Sequence, residues 1–365
     1  MTAHERYQAF MRFAPVDRCP LREWPPWPAT LARWKRETGL DDSALLQIYQ
    51  ECDPEHSTGV DFSMMPPFEE RVVCEDEETI TKTDRMGLTY REFKVNPETS
   101  MPEFVGFPVK NENDWQDIKR RFDPSSPGRY PRDWKQLVEK WKMENPILRL
   151  YGFVANYYGG PSLFGFVRML VGDERALYIF HDDPKMVHDM METATEFSIA
   201  MLQKALKEAP VTVVQFWEDM CYRGGPLISP AMFREFMLPR YKRITEVIRG
   251  LGADIIFVDS DGKVEELIPL WLEAGINGVF PMEQAAGNDL YAYRRKYGKN
   301  LLMTGGIDKR VLAQDKAAID RELELKVPLA AQGGYIPMLD HSIPPDVPYE
   351  NFQYYWMKKK KMLGA

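Results

Sequence analysis

Six short apolar runs recur along the second part of the chain, at Ile147 to Phe153, Val211 to Trp217, Asp254 to Val258, Asn277 to Met282, Leu301 to Thr304 and Gly334 to Pro337. Helical spacing lies between them. Runs of this length, dominated by apolar residues, suit strands buried on both faces, which are characteristic of parallel sheets. The sharpest unit is Asp254-Ile-Ile-Phe-Val-Asp259-Ser260-Asp261-Gly262, flanked by helical patterns over Pro230 to Gly250 and Val264 to Ala274. After Asp182-Asp183-Pro184 a longer pattern places Val187, Met190, Met191, Ala194, Phe197, Met201 and Leu202 on one stripe, with an acidic cap and a proline in the first turn. This alternation over 145–365 predicts an α/β fold, a (β/α)8 TIM barrel.

Residues 1–110 read as an N-terminal extension carrying a small β insertion at Arg71 to Cys74, Thr79 to Lys82 and Leu88 to Phe93. The whole of 1–365 reads as one barrel domain. A net charge of -8 offers no attraction to nucleic acid or an anionic membrane. The one basic run, Lys358 to Lys361, suits the solvated end of a helix. Four scattered cysteines form no CxxC pair, and no apolar run is long enough to span a membrane, so a soluble cytoplasmic protein is expected. Glycine-rich nucleotide fingerprints are missing.

Barrel sites collect at the carboxyl ends of the strands. Those ends read Asn156-Tyr157-Tyr158, Glu218-Asp219, Asp259-Ser260-Asp261, Glu283, Gly305-Gly306-Ile307-Asp308 and Asp340-His341. This acidic rim around one histidine has two chemical uses. Glu218, Asp259, Asp261 and His341 could ligate a divalent metal such as zinc, iron or manganese. Alternatively, crowded carboxylates raise one another's pKa and supply a proton donor and acceptor near neutral pH. His341 stands out because Asp340-His341-Ser-Ile-Pro344-Pro345 is a stiff loop that fixes a side chain cheaply. For Asp261, helix capping competes with a role in the site. Asn156, Tyr157, Tyr158, Glu283, Asp308 and Trp24 are candidate substrate contacts. Tyr157 and Tyr158 suit a pocket wall or a core turn equally, and the Trp24/Trp27 cluster suits a lid or a flat-ligand platform. His56, His181 and His188 suit surface roles, and His4 lies near the terminus.

Several motifs occur together in order: Gly172-Asp-Glu, Asp182-Asp-Pro184, Gly224-Gly-Pro-Leu-Ile-Ser229-Pro230, Phe236-Met-Leu-Pro239, Glu273-Ala-Gly275-Ile, Gly305-Gly306-Ile-Asp308, and His341-Ser-Ile-Pro344 followed by Pro348-Tyr-Glu350-Asn351. With them the chain resembles the uroporphyrinogen decarboxylase superfamily. The resemblance implies a barrel, often dimeric, with its pocket at the C-terminal face. It also implies one of two chemistries. Decarboxylases of the superfamily use no cofactor and carry an arginine-rich RQAGR motif, where this chain has Leu21-Arg22-Glu23-Trp24 with one arginine. Corrinoid- or thiol-linked methyltransferases carry a His-x-Cys-Gly zinc motif, where this chain has Asp259-Ser260-Asp261-Gly262. The expectation drawn from this is a methyltransferase acting on a small methoxy or methylamine substrate, with a divalent metal as an optional aid, a corrinoid carried by a partner protein and a homodimeric state. Decarboxylation of a tetrapyrrole or another carboxylic acid, and non-catalytic corrinoid or tetrapyrrole binding, are the alternatives.

Overall fold

The computed structural model describes residues 1–95, 102–151, 153–154, 157–158 and 162–365. Its main sheet has seven strands: β1 (Glu55–Ser57), β2 (Ile147–Leu150), β3 (Val213–Trp217), β4 (Ile256–Asp259), β5 (Gly278–Phe280), β6 (Leu302–Ile307) and β7 (Tyr335–Leu339). Each pairs in parallel with the next in chain order. Helices cover the outer face, so strands such as β2 and β7 are buried at every position. That two-sided burial is why they read as mostly apolar runs, with the buried Arg149 of β2 paired to Glu55.

β1 and β7 are the edges of this sheet, and the segment Leu21–Trp27 fills the gap between them. Leu21 accepts from Asp53 N (2.9 Å), just ahead of β1, while Leu339 N at the end of β7 donates to Glu23 Oε1 (3.0 Å) and Trp27 N donates to the Ile343 carbonyl (3.1 Å). The proline-rich segment thus takes the eighth position of the expected barrel without a regular ladder. Pro25 and Pro26 have no N–H to offer one, which hides this position from strand patterning.

The long helix Pro184–Glu208 is capped by Asp183, whose side chain accepts from Met186 N, and buries the expected stripe. Each fully buried apolar side chain of that stripe contributes on the order of 1.5–3 kcal/mol. The helix expected over Pro230 to Gly250 is interrupted by a π-helical turn at Phe233–Met237. Pro239 lacks the N–H that would continue the i to i−4 pattern, and the turn widens ahead of it. After β4, the pattern read as a helix from Val264 forms one only over Ile268–Glu273.

The β insertion is a four-stranded antiparallel sheet. It comprises Arg71–Glu75, Thr79–Thr83, Thr89–Phe93 and a further strand, Glu103–Gly106, too short to be legible beside Pro102. No helix among the described residues is long and apolar enough to cross a membrane.

Candidate active site

The carboxyl ends of β3, β4, β5 and β7 supply Gln215, Asp259, Phe280 and Met338 to one wall of a cavity of about 610 Å3. The opposite wall is Arg22, Glu23, Trp24 and Pro25 from the gap-filling segment, with Cys52 to His56 leading through β1. Side chains on a parallel strand alternate, so the last inward position of β4 is the one that meets the cavity. That position is Asp259.

Asp259 is in register with Trp217 of β3 and Phe280 of β5. Among the described residues its side-chain hydrogen-bond partner is Gln215 Nε2, at a long 3.5 Å from Oδ2. Burial pushes its carboxyl well above the ordinary range, and the nearby acids Asp261 and Asp219 push in the same direction. It therefore gives up its proton at higher pH than an ordinary aspartate does.

Asp261 follows two residues later, where the strand turns. Gly262 is required at this turn: its φ is +80° and a Cβ there would lie 2.7 Å from the Cys221 backbone. Burial first, then Asp219 and Glu283, raise the Asp261 carboxyl to about 7, against an opposing pull from Lys309. His341 Nε2 stands 3.8 Å from Asp261 Oδ2. That spacing would suit an ion pair, but burial and Lys309 lower the imidazole to about 4. The proton preferences decide the matter: near neutrality the pair is a partly protonated acid beside a neutral imidazole.

His341 lies in a ring column. It stacks on Trp24 at 5.5 Å and on Trp27 at 5.8 Å, and Trp24 stacks on Phe280 at 5.0 Å. The Trp24/Trp27 cluster therefore packs on the site histidine, and Trp24 also reaches the cavity wall.

Glu218 departs from its expected place. Its fully buried carboxylate accepts from Leu163 N (2.7 Å), Gly165 N (2.9 Å) and the Tyr241 hydroxyl, which closes the start of the helix Phe164–Val171. Burial raises it to about 7 even so. Glu283 accepts from Gly262 N, and Asp308 caps Lys309–Ala313 while paired with Arg310. Asp340 is buried and accepts from Gln284 N and Lys309 N. These three acids brace the rim loops. Asn156 lies outside the described residues. Tyr157–Tyr158 form a two-residue strand antiparallel to Phe153–Val154.

The metal expectation meets this geometry directly. Among the described residues, no three His, Cys, Asp or Glu side chains gather in a way that could hold an ion. Glu218 is committed to a helix start, so the four expected ligands do not gather at one point.

Glu55, which lines the cavity, and Arg149, buried behind it, carry no signal in the sequence. Arg22 Nε meets Glu55 Oε1 at 2.6 Å, and Arg149 Nε meets Glu55 Oε2 at 2.6 Å. Burial raises the Glu55 carboxyl, but the two guanidiniums outweigh it and hold it below its ordinary value. Two cations against one carboxylate leave one positive charge in surplus. His56, expected on the surface, is exposed yet lines the cavity mouth. His4 is buried with Nδ1 2.9 Å from the Pro146 carbonyl.

A family model described as "Uroporphyrinogen decarboxylase (URO-D)" matches residues 157–361. Among curated proteins, the chain is 30% identical to uroporphyrinogen decarboxylase from Rhodococcus erythropolis over 203 residues, 52% of this chain and 50% of that protein. It is 26% identical to the chloroplastic enzyme of Zea mays over 177 residues, 48% of this chain and 42% of that one. The chain thus spans about half the length of the curated relatives it matches. Among solved structures, a B12-independent methionine synthase from Shewanella sp. W3-18-1 aligns over 94% of this chain and 98% of its own, at 14% identity and a TM-score of 0.43. With the family model covering more than half of its residues, the chain belongs to the uroporphyrinogen decarboxylase family.

Proposed function

We propose that the chain is an enzyme that decarboxylates a small, singly charged carboxylic acid without a metal, with Asp259 as the proton donor. The observation that carries this reading is the Asp259 carboxyl facing an open cavity from the end of β4, where burial and neighbouring acids favour its protonated form. Loss of CO2 leaves an electron pair on carbon. Asp259 gives that carbon its proton, and the resulting carboxylate recovers one from solvent.

The surplus positive charge of Arg22, Arg149 and Glu55 suits one substrate carboxylate, and Trp24, Phe280 and Met338 suit an apolar or aromatic body. A tetrapyrrole with many carboxylates would need more cations than Arg22 supplies. That the curated relatives named above are decarboxylases agrees with this reading.

Methyl transfer is the second reading, favoured by the same acid standing beside aromatic walls. Protonation of a methoxy oxygen by Asp259 would let the C–O bond break as the methyl group passes to a corrinoid on a partner protein or to a thiol. The alcohol keeps the proton.

The experiment is to incubate wild type and Asp259→Asn with carboxyl-labelled arylcarboxylic acids and uroporphyrinogen III, and to measure labelled CO2. Release from a small acid by wild type and its loss in the variant are expected. Methylated corrinoid formed from a methoxylated compound, with no CO2 from any acid, would replace the first reading by the second.

A further inference from the structure

The run Lys358 to Lys361 contains a residue that does not behave as a solvated helix end. Lys359, on the C-terminal helix Tyr349–Met362, has a fully buried side chain, as does its partner Glu23, 2.5 Å away. Lys359 also donates to the Arg22 carbonyl at 3.0 Å. Tyr355, one turn earlier, donates its hydroxyl to the same Glu23 Oε2 at 2.6 Å. The other oxygen, Oε1, accepts from Leu339 N and from Trp24 N, each at 3.0 Å. Tyr49 closes the set by donating to the Trp24 carbonyl at 2.6 Å.

These bonds converge on three consecutive residues, Arg22-Glu23-Trp24, all of which line the cavity. The segment has no continuous strand ladder to hold it, because Pro25 and Pro26 follow directly. A buried charge pair whose carboxylate oxygens each accept two hydrogen bonds is directional, and breaking it leaves a buried charge uncompensated.

We infer that Lys359 and Tyr355, acting through Glu23, are positioning residues that latch the Arg22–Trp24 wall across the gap of the barrel. They touch no substrate. Through the wall they set where the Arg22 guanidinium and the Trp24 ring stand. The functional consequence rests on the reading that the cavity binds substrate, whereas the latch itself can be tested without any substrate.

Cys52 supplies the readout. It lines the same cavity next to Asp53, whose N–H bonds Leu21, and Lys359 and Glu23 are among the charges it senses. Cys74 is exposed on the β insertion and serves as an internal control.

The test is the rate of N-ethylmaleimide labelling of Cys52 relative to Cys74, read by mass spectrometry, in wild type and in a Glu23→Gln/Lys359→Met double variant that leaves no lone buried charge. At least a tenfold rise at Cys52 alone, with native circular dichroism, is expected. An unchanged ratio in a folded variant overturns the latch. If the double variant does not fold, Tyr355→Phe, which removes a single bond to Glu23, is expected to raise the ratio two- to fivefold, and no rise there overturns the proposal equally. A second arm measures kinetics on any acid that wild type turns over. Loss of the latch is expected to raise KM at least tenfold in the variant and to leave kcat within twofold. Labelling that responds while KM does not would retain the latch and reject the cavity as the substrate site.

Discussion

Trp24 and His341 stack with ring centroids 5.5 Å apart and planes within 16° of parallel, joining the proline-rich segment that closes the barrel to the loop after its last strand. Trp27 packs on the same imidazole. The indoles exclude water from a group that needs water or an anion to carry charge, which is the main reason its proton affinity falls to about 4.

Because the folded value lies below the ordinary imidazole value, the unfolded chain takes up this proton first as pH falls. Stability tied to His341 is present above about pH 6.5 and is lost as pH drops toward 4. Allowing for screening at a side chain 30% exposed, the loss is about 2 kcal/mol. In Trp27→Ala the His341 midpoint, followed by NMR of labelled histidine, should rise toward the ordinary value and the acid loss should shrink. A midpoint that stays near 4 would show that the indole is not the cause.

Glu218 makes the opposite contribution. Its folded value of about 7 lies above that of an unfolded glutamate, so its stability is fully present below about pH 4.5 and disappears as pH rises through 7. Glu218→Ala should lose about 2–4 kcal/mol in denaturant titrations, because the N–H groups of Leu163 and Gly165 and the Tyr241 hydroxyl are left buried without an acceptor. A residue serving as a metal ligand would instead leave the stability of metal-free protein nearly unchanged.

The legible and illegible parts of this molecule divide on physical grounds. β4 and its acids were readable because a strand covered on both faces is apolar until it emerges, and Asp259 and Asp261 mark the point of emergence. The cluster at Trp24 and Trp27 was visible, but stacking on His341 joins residues more than 300 apart, which no local pattern encodes. Lys359 looked like part of a solvated tetrad because charge composition carries no sign of burial, and only its partner Glu23 explains it. Glu218 carried the right residue type at the right strand end. Its side chain closes a neighbouring helix start, a choice made by Leu163 and Gly165 rather than by its own surroundings in sequence.

Arg22 should govern binding rather than turnover. Its Nε is used by Glu55, and among the described residues its guanidinium makes no other ion pair, which leaves donors for a substrate carboxylate. Arg22→Met should raise KM for a carboxylic acid substrate about 10- to 100-fold, matching the roughly 1.5–3 kcal/mol of a hydrogen bond to a charged group, with kcat little changed. Equal falls in kcat and kcat/KM would place Arg22 in the transition state instead.

Asp261 should control the pH range in which Asp259 can act. A proton donor must be protonated, so the proposed reaction fails on the alkaline side as Asp259 ionises. Burial is the chief cause of its raised value, and the charge on Asp261 is the next. Asp261 itself ionises near 7, so above that pH its carboxylate opposes the loss of a second proton nearby. Asp261→Asn removes the charge and keeps the volume. The alkaline limb of kcat/KM should then move to lower pH, while the rate on the acid plateau of the profile stays within about threefold. The profile of kcat/KM from pH 5 to 10 for both proteins checks this. A limb that stays in place would mean that burial alone sets the Asp259 proton, and a rate lost equally at every pH would make Asp261 a participant in the chemistry rather than a tuner of its neighbour.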